Sequence, residues 1–295
     1  MKISELFKNK KTVVSFEVFP PNNIYSIEDV YTSIDELAKL HPDFMSVTYG
    51  AGGATRGRTV EIASKIKNDN KIEALAHLTC IGARRNEIDF ILEELRKNNI
   101  ENILALRGDK PKDFLSVEDG DFKYAQDLVS YVKMKNEFSV GGAYYPEGHQ
   151  ETNDLLDLFN LKTKVESGTD FLISQIFFDN ESFYNFRDKL DKLQINVPLV
   201  AGIMPVTNAK QIRKITSMCG CNIPEKFQKI IDKYENNPQA LREAGTAYAT
   251  EQIIDLITSD IDGIHLYTMN KVDTAKKIMA NIAHIREISG GGRLW

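Results

Sequence analysis

Eight short apolar runs recur along the chain, most of them about 30 residues apart, the usual length of a strand followed by a helix in a parallel sheet. They are TVVSFEVF (12–19), DFMSVTYG (43–50), IEALAHLTC (72–80), ENILALRGD (101–109) and FSVGGAYYPE (138–147), then DFLISQIFFD (170–179), VPLVAGIMP (197–205) and DGIHLYTMN (262–270). Between them lie segments with apolar residues at three- and four-residue spacing, such as SIEDVYTSIDELAKL (26–40), RTVEIASKIKN (58–68) and EIDFILEELRKNN (87–99). That spacing predicts amphipathic helices, with Ser26 as an N-cap before an acidic first turn. Eight such units predict an α/β chain closed into a (β/α)₈ TIM barrel; a doubly wound open sheet is the structural rival. The one long interval, between the seventh and eighth runs, holds several helical segments and a turn at NNPQ (236–239). One domain over residues 1–295 is the expectation.

Composition narrows the function classes. The 295 residues are 42% hydrophobic and 27% charged, which suits a buried core of ordinary size. A formal net charge of −5 gives no electrostatic reason to expect nucleic acid or an anionic membrane as partner. No apolar run reaches the roughly 20 residues of a membrane span, and MKISELFKNKK lacks a signal-peptide core, so a cytoplasmic location is expected. Cys80, Cys219 and Cys221 are too few for a disulfide framework and are expected as free thiols.

A carboxylate stands inside the first apolar run: Glu17, in SFEVFPP. A buried carboxylate is costly without partners, so it needs a hydrogen-bond network or a chemical role. In a barrel the active site gathers at the C-terminal strand ends. Those ends carry Glu17, Thr48–Tyr49, His77 with Thr79, Arg107 with Asp109, Tyr145, Gln175, and Tyr267 with Thr268. Taken singly, His77 reads equally well as a satisfied core histidine, and Arg107–Asp109 as a structural pair. Taken together, they point to a site assembled from many strands.

Known short motifs mostly fail. GGATRGRT (52–59) resembles a phosphate-binding loop, but Arg58 stands where the lysine is required. No GxGxxG fingerprint, HxxxH pair or GxSxG elbow occurs, so no metal is expected. Chemistry would rest on carboxylates, amides or a cofactor. The amide of Gln175 can donate and accept at once, as recognition of a heterocycle's edge requires. Lys162 and Lys164, in LKTKVESG, read on spacing alone as solvated surface.

SFEVFPP, SVTYGAGG, LAHLTC, LALRGDKP, AYYPEGH, LKTKVESG, ISQIFFD, GIMPV and HLYTMN occur in the order found in methylenetetrahydrofolate reductases of the bacterial single-domain type, a family this chain resembles from about Glu5 to Lys271. The resemblance implies a flavoprotein barrel in one-carbon metabolism and methionine biosynthesis. In such an enzyme NADH or NADPH gives hydride to FAD, and flavin N5 passes it to 5,10-methylenetetrahydrofolate in a ping-pong cycle that yields 5-methyltetrahydrofolate. By position, Glu17 matches the general acid that opens the folate's imidazolidine ring. Asp109 matches the aspartate beside flavin and pterin, and Gln175 the glutamine that hydrogen-bonds the pterin. For FAD the resemblance implies Thr48, Tyr49, Ala51, His77, Arg107, Gly108, Asp109, Tyr124, Ala125, Tyr145, His149, Asp157, Asn160 and Lys164. For folate it adds Gln211 and Lys271.

This sequence departs from the family pattern at Ile215, where some relatives carry phenylalanine, and at Lys271, where arginine is common. Lysine cannot make the bidentate contact that arginine offers a carboxylate. The sequence stops at Trp295, so a regulatory domain of the eukaryotic kind is not expected. Homo-oligomers are expected from the resemblance. A non-flavin barrel aldolase or pterin methyltransferase, and a non-catalytic folate or flavin carrier, are the rival readings.

Overall fold

The run around Glu17 forms strand β1 (Val13–Val18), buried on both faces, in the computed structural model, which describes residues 1–21, 25–49, 56–109 and 120–290. The other strands are β2 (Phe44–Val47), β3 (Glu73–Thr79), β4 (Asn102–Leu106), β5 (Ser139–Tyr144), β6 (Phe171–Ser174), β7 (Leu199–Ile203) and β8 (Gly263–Tyr267). All pair in parallel in sequence order, and β8 returns to β1 with Val13 opposite Gly263 and Glu17 opposite Tyr267. The sheet is therefore a closed (β/α)₈ barrel, and the open-sheet alternative is excluded. Closure explains the unbroken apolar runs, since each strand is covered on its outer face by helices and on its inner face by other strands.

The helices are α1 (Leu6–Asn9), α2 (Ile27–Ala38), α3 (Arg56–Ser64), α4 (Arg85–Lys97), α5 (Ala125–Met134), α6 (Asp154–Glu166) and α7 (Asn180–Lys192). After β7 come α8 (Ala209–Cys219), α9 (Glu225–Tyr234) and α10 (Pro238–Thr258), and after β8 come α11 (Val272–Asn281) and α12 (Ala283–Gly290). Ser26 does cap α2, in a reciprocal box: its Oγ accepts from Asp29 N at 3.1 Å, and Asp29 Oδ2 accepts from Ser26 N at 2.9 Å. The strands end sooner than the apolar runs suggest. Beyond β8, for example, Met269 and Asn270 take φ of 52° and 57°, so the chain turns off the barrel rim.

Among the described residues three apolar clusters hold the fold. The largest lies between the strands' outer faces and the helices, where Phe16, Val18, Val30, Ile34 and Leu37 are all fully buried; each such side chain contributes about 1.5–3 kcal/mol. A second fills the barrel floor: Val13, Phe44, Leu75, Leu104, Phe171 and Val200, capped by Ile3 and Leu6. The third gathers Ile176, Phe178, Met204 and Val206 beyond β6 and β7 with Phe227, Ile231 and Leu241 from α9 and α10. It builds up one side of the rim, with Phe227 stacked on Tyr248 at 3.8 Å.

Asn102 locks the floor plug. Its Oδ1 accepts from Ile3 N at 2.7 Å, and its Nδ2 donates to Met1 O at 3.2 Å and Ala74 O at 3.3 Å. Asn102→Leu leaves those buried groups without partners, so it is expected to lower unfolding free energy by roughly 1–3 kcal/mol, read as a lower denaturant midpoint.

Candidate active site

Side chains on one face of a strand recur every second residue, so Val13, Ser15 and Glu17 climb the inside of β1 from floor to rim. The chemistry of the inner face changes along that climb. Apolar Phe44 and Leu75 give way to Ser46 and His77, and β8 contributes His265 and then Tyr267. Glu17 is 5% exposed and sits in the polar layer. Its Oε2 lies 3.5 Å from Ser46 Oγ, 3.4 Å from His77 Nε2 and 3.6 Å from His265 Nε2. Thr268 Oγ1 donates to the Glu17 carbonyl at 2.6 Å and anchors the strand end. The expected network around the carboxylate therefore exists, and it includes Ser46 and His265, which the motifs did not single out.

Burial, the largest influence, pulls the His77 imidazole down to about 4, against the opposing pull of Glu17. His77 is thus neutral at neutral pH, and its Nε2 makes no hydrogen bond in the structure despite the nearby carboxylate. The unfolded chain protonates at this histidine near pH 6.5, before the folded one does. Stability is therefore expected to fall as pH drops from about 6.5 towards 4, and His77→Gln should flatten that part of the profile in denaturation measurements at stepped pH.

Tyr267 joins this layer to the rim. Its ring covers Gly202, where an added Cβ would lie 2.6 Å from Tyr267 Cε2, and its hydroxyl donates to Ser174 O at 2.7 Å. Burial raises the Tyr267 phenol well above its ordinary value, with Glu17, Cys219 and Tyr145 adding to the effect. Tyr145 is pushed up to about 12, first by burial, and Arg107, Asp157 and Asp109 are its charged neighbours. Its ring meets His149 edge-on at 4.6 Å. Through these contacts the structure brings together Glu17, His77, Tyr145, Arg107, Asp109, His149 and Asp157.

Other positions behave less simply. Arg107 pairs with Glu151 at 2.7 Å, the hydrogen bond that chiefly raises its guanidinium, and only more distantly feels Asp109. Gly108 between them has φ +87°, and a Cβ there would lie 2.9 Å from Thr79 Cβ, so this crossing of the β3 and β4 ends requires glycine. Lys164 is not the solvated surface lysine that its helix spacing suggests. Its Nζ turns inward to donate to Ala143 O at 2.7 Å, and burial pulls it down to about 8.

Gln175 continues from β6, its N–H on Tyr144 O at 2.7 Å and its Oε1 accepting from Ile176 N at 2.9 Å. Tyr124 and Ala125 open α5, and Asn160 lies on α6. Thr48 leaves β2 with its N–H on Val18 O at 3.2 Å; half-buried Tyr49 follows it. On the built-up side of the rim Gln211 sits in the first turn of α8, and Lys271 Nζ donates to Thr207 Oγ1. Ala51 and the first half of GGATRGRT, residues 52–55, lie outside the described residues. Among the described residues no group of three or more metal-ligating side chains occurs, and no helix is long and apolar enough to cross a membrane.

A dinucleotide flavin needs cations for its diphosphate, acceptors for its ribose hydroxyls and polar atoms facing its ring edge. Arg107 and Lys164 supply charge, half-buried Asp157 supplies an acceptor, and His77 Nε2 is a buried polar atom without a hydrogen-bond partner. Leu155, Leu156 and Phe159 leave apolar surface exposed on α6 beside these groups. The residues fit the group.

Comparison with known proteins gives a consistent family. A family model described as methylenetetrahydrofolate reductase matches residues 2–283. The chain is 38% identical over 266 residues to 5,10-methylenetetrahydrofolate reductase of Pectobacterium carotovorum, covering 90% of this chain and 88% of that one. It is 35% identical to methylenetetrahydrofolate reductase (NADH) 1 of Arabidopsis thaliana over 97% of its own length, and it spans about half (51%) of that longer protein. Among solved structures, a Clostridium thermocellum protein that binds two copies of 5-methyl-5,6,7,8-tetrahydrofolic acid aligns with a TM-score of 0.62 over 96% of this chain and 98% of that one. At 13% identity that likeness speaks for the barrel alone.

Proposed function

Because the chain belongs to the methylenetetrahydrofolate reductase family, we propose that it reduces 5,10-methylenetetrahydrofolate to 5-methyltetrahydrofolate at the C-terminal mouth of the barrel, with NAD(P)H as donor and FAD as cofactor. The observation that carries this reading is Glu17: a buried carboxylate at a strand end, ringed by hydroxyl and imidazole groups and, among the described residues, paired with no lysine or arginine. A structural salt bridge would pair it with a permanent cation. A carboxyl group left without such a cation can serve as a proton donor.

FAD, when bound, would supply the hydride relay between nicotinamide and folate. Arg107 and Lys164 would hold its diphosphate, Asp157 a ribose hydroxyl, and His77 the ring edge. Glu17 would give its proton to the departing nitrogen of the imidazolidine ring, so that the ring opens to an electrophilic iminium. Asp109, a carboxylate exposed at the end of β4, would favour that cation electrostatically. The amide of Gln175 would hold the pterin edge, with Gln211 and Lys271 on the rest of the folate. The name of the Arabidopsis relative supports NADH as the donor; NADH and the folate acceptor would use the one site in turn, in a ping-pong order.

The direct test is optical. The purified full chain should be yellow, bleach anaerobically with NADH, and recover its colour when methylenetetrahydrofolate is added. A colourless protein, or one that bleaches but is not reoxidised by the folate, would overturn the proposal.

A further inference from the structure

Beneath Glu17 the barrel interior holds three polar side chains that the proposed reaction leaves unused. They are Ser15, Ser46 and His265, at most 1% exposed. They form one chain. Ser15 Oγ lies 2.7 Å from His265 Nδ1 and 3.2 Å from the carbonyl of Ile264. His265 Nε2 lies 3.2 Å from Ser46 Oγ, and Ser46 Oγ lies 3.5 Å from Glu17 Oε2. Phe44 stacks on the imidazole at 6.0 Å with an interplanar angle of 18°, and Tyr267 meets it edge-on at 5.3 Å, so the ring plane is held.

Each hydroxyl has one proton to donate, and a neutral imidazole has one N–H and one lone pair. The chain consequently has two complete arrangements. In the first, Ser15 donates to Nδ1, Nε2–H donates to Ser46, and Ser46 donates to an ionised Glu17. In the second, every bond is reversed: a protonated Glu17 faces the Ser46 oxygen, Ser46 donates to Nε2, Nδ1–H donates to Ser15, and Ser15 donates to the Ile264 carbonyl. An ionised Glu17 excludes the second arrangement, because its oxygen would then face a Ser46 lone pair where water cannot intervene, at a cost of roughly 1–3 kcal/mol; a Glu17 protonated on Oε2 excludes the first, because two protons would then meet. The terminal carbonyl matters, because without it the reversed chain would end on a hydroxyl proton with no acceptor.

We infer that His265 is a positioning residue whose tautomer switches with the protonation state of Glu17, so that the carboxyl group is satisfied before and after it gives up its proton. The inference rests on the reading of Glu17 as the acid, but its test does not use turnover. The other titratable groups facing this pair are His77 from β3, 3.4 Å from Glu17, and Tyr267 from β8. His77 is neutral above about pH 4 and Tyr267 stays protonated, so neither supplies the change.

The experiment is ¹⁵N–¹H correlation of the histidine side chains in the full chain, titrated downward from about pH 9 to the lowest pH at which the fold persists. His265 signals are assigned by their loss in His265→Gln. The expected result is an Nε2-protonated ring at high pH that crosses to the Nδ1-protonated form as Glu17 takes up its proton. Glu17→Gln, or Ser46→Ala, which cuts the chain between ring and carboxylate, should abolish the crossing. One tautomer throughout, conversion to the doubly protonated imidazolium, or a crossing that persists in both variants would overturn the inference. Failure of folate reduction in the optical test would instead strike the parent reading and leave the tautomer result standing.

Discussion

Glu17→Gln is expected to spare reduction of the bound flavin by NADH and to slow reoxidation by methylenetetrahydrofolate about 10²–10⁴-fold, the usual effect of removing a positioned general acid. Glutamine keeps the shape and volume of the side chain, so the barrel should not repack. It cannot deliver a proton, and the site offers no ready substitute. Water is largely excluded from a carboxylate that is 5% exposed, and the nearest imidazole, His77, is neutral at the pH of the assay. Hydride transfer from nicotinamide to flavin needs no such proton, so the two half-reactions should separate. Anaerobic stopped-flow traces of each half-reaction measure this directly. A comparable loss in both would show that Glu17 serves the architecture of the site rather than the opening of the folate ring.

Gly245→Ala is expected to lower unfolding free energy by upwards of about 3 kcal/mol, beyond the usual range for one added methyl group. Gly245 lies on α10 where the helix presses against the chain leaving β7. A Cβ there would stand 1.8 Å from the carbonyl oxygen of Val206 and 2.8 Å from its carbon. The obstruction is backbone, so no rotamer change relieves it; helix and rim segment have to part. Val206 belongs to the cluster that carries the built-up side of the rim, along with Met204 and Leu241, so the damage should reach Gln211 and Lys271, the residues proposed to meet the folate. Guanidinium unfolding followed by far-ultraviolet circular dichroism measures the loss, and a shift below about 1 kcal/mol would refute the close approach.

Much of the fold is legible in the order of residues. Apolar runs and amphipathic helices at a regular interval forecast the barrel, because a strand buried on both faces must be apolar throughout. Glu17 is conspicuous for the same reason, as a charge within such a run. Period-two alternation also places Ser15 on the face of Glu17 and His265 on the face of Tyr267, a signal present in the sequence but silent about which strands meet. Arg107 shows the limit of local reading. Asp109 is two residues away, yet the partner is Glu151, and the half-turn at Gly108 decides between them. Lys164 shows it again: an ordinary helical lysine by spacing, drawn inward to Ala143 by the packing of α6 against β5.

What the residue order determined alone is the set of elements, their parallel sense and the presence of an expensive carboxylate at a strand end, since these follow from side-chain periodicity and solvation. What only the tertiary structure decided is the company that carboxylate keeps. Ser46 stands 29 residues from Glu17 and His265 stands 248 away; they meet because closure of the barrel makes β1 the neighbour of both β2 and β8. Hydrogen bonds and charge interactions act over a few ångströms of space, whatever the distance along the chain.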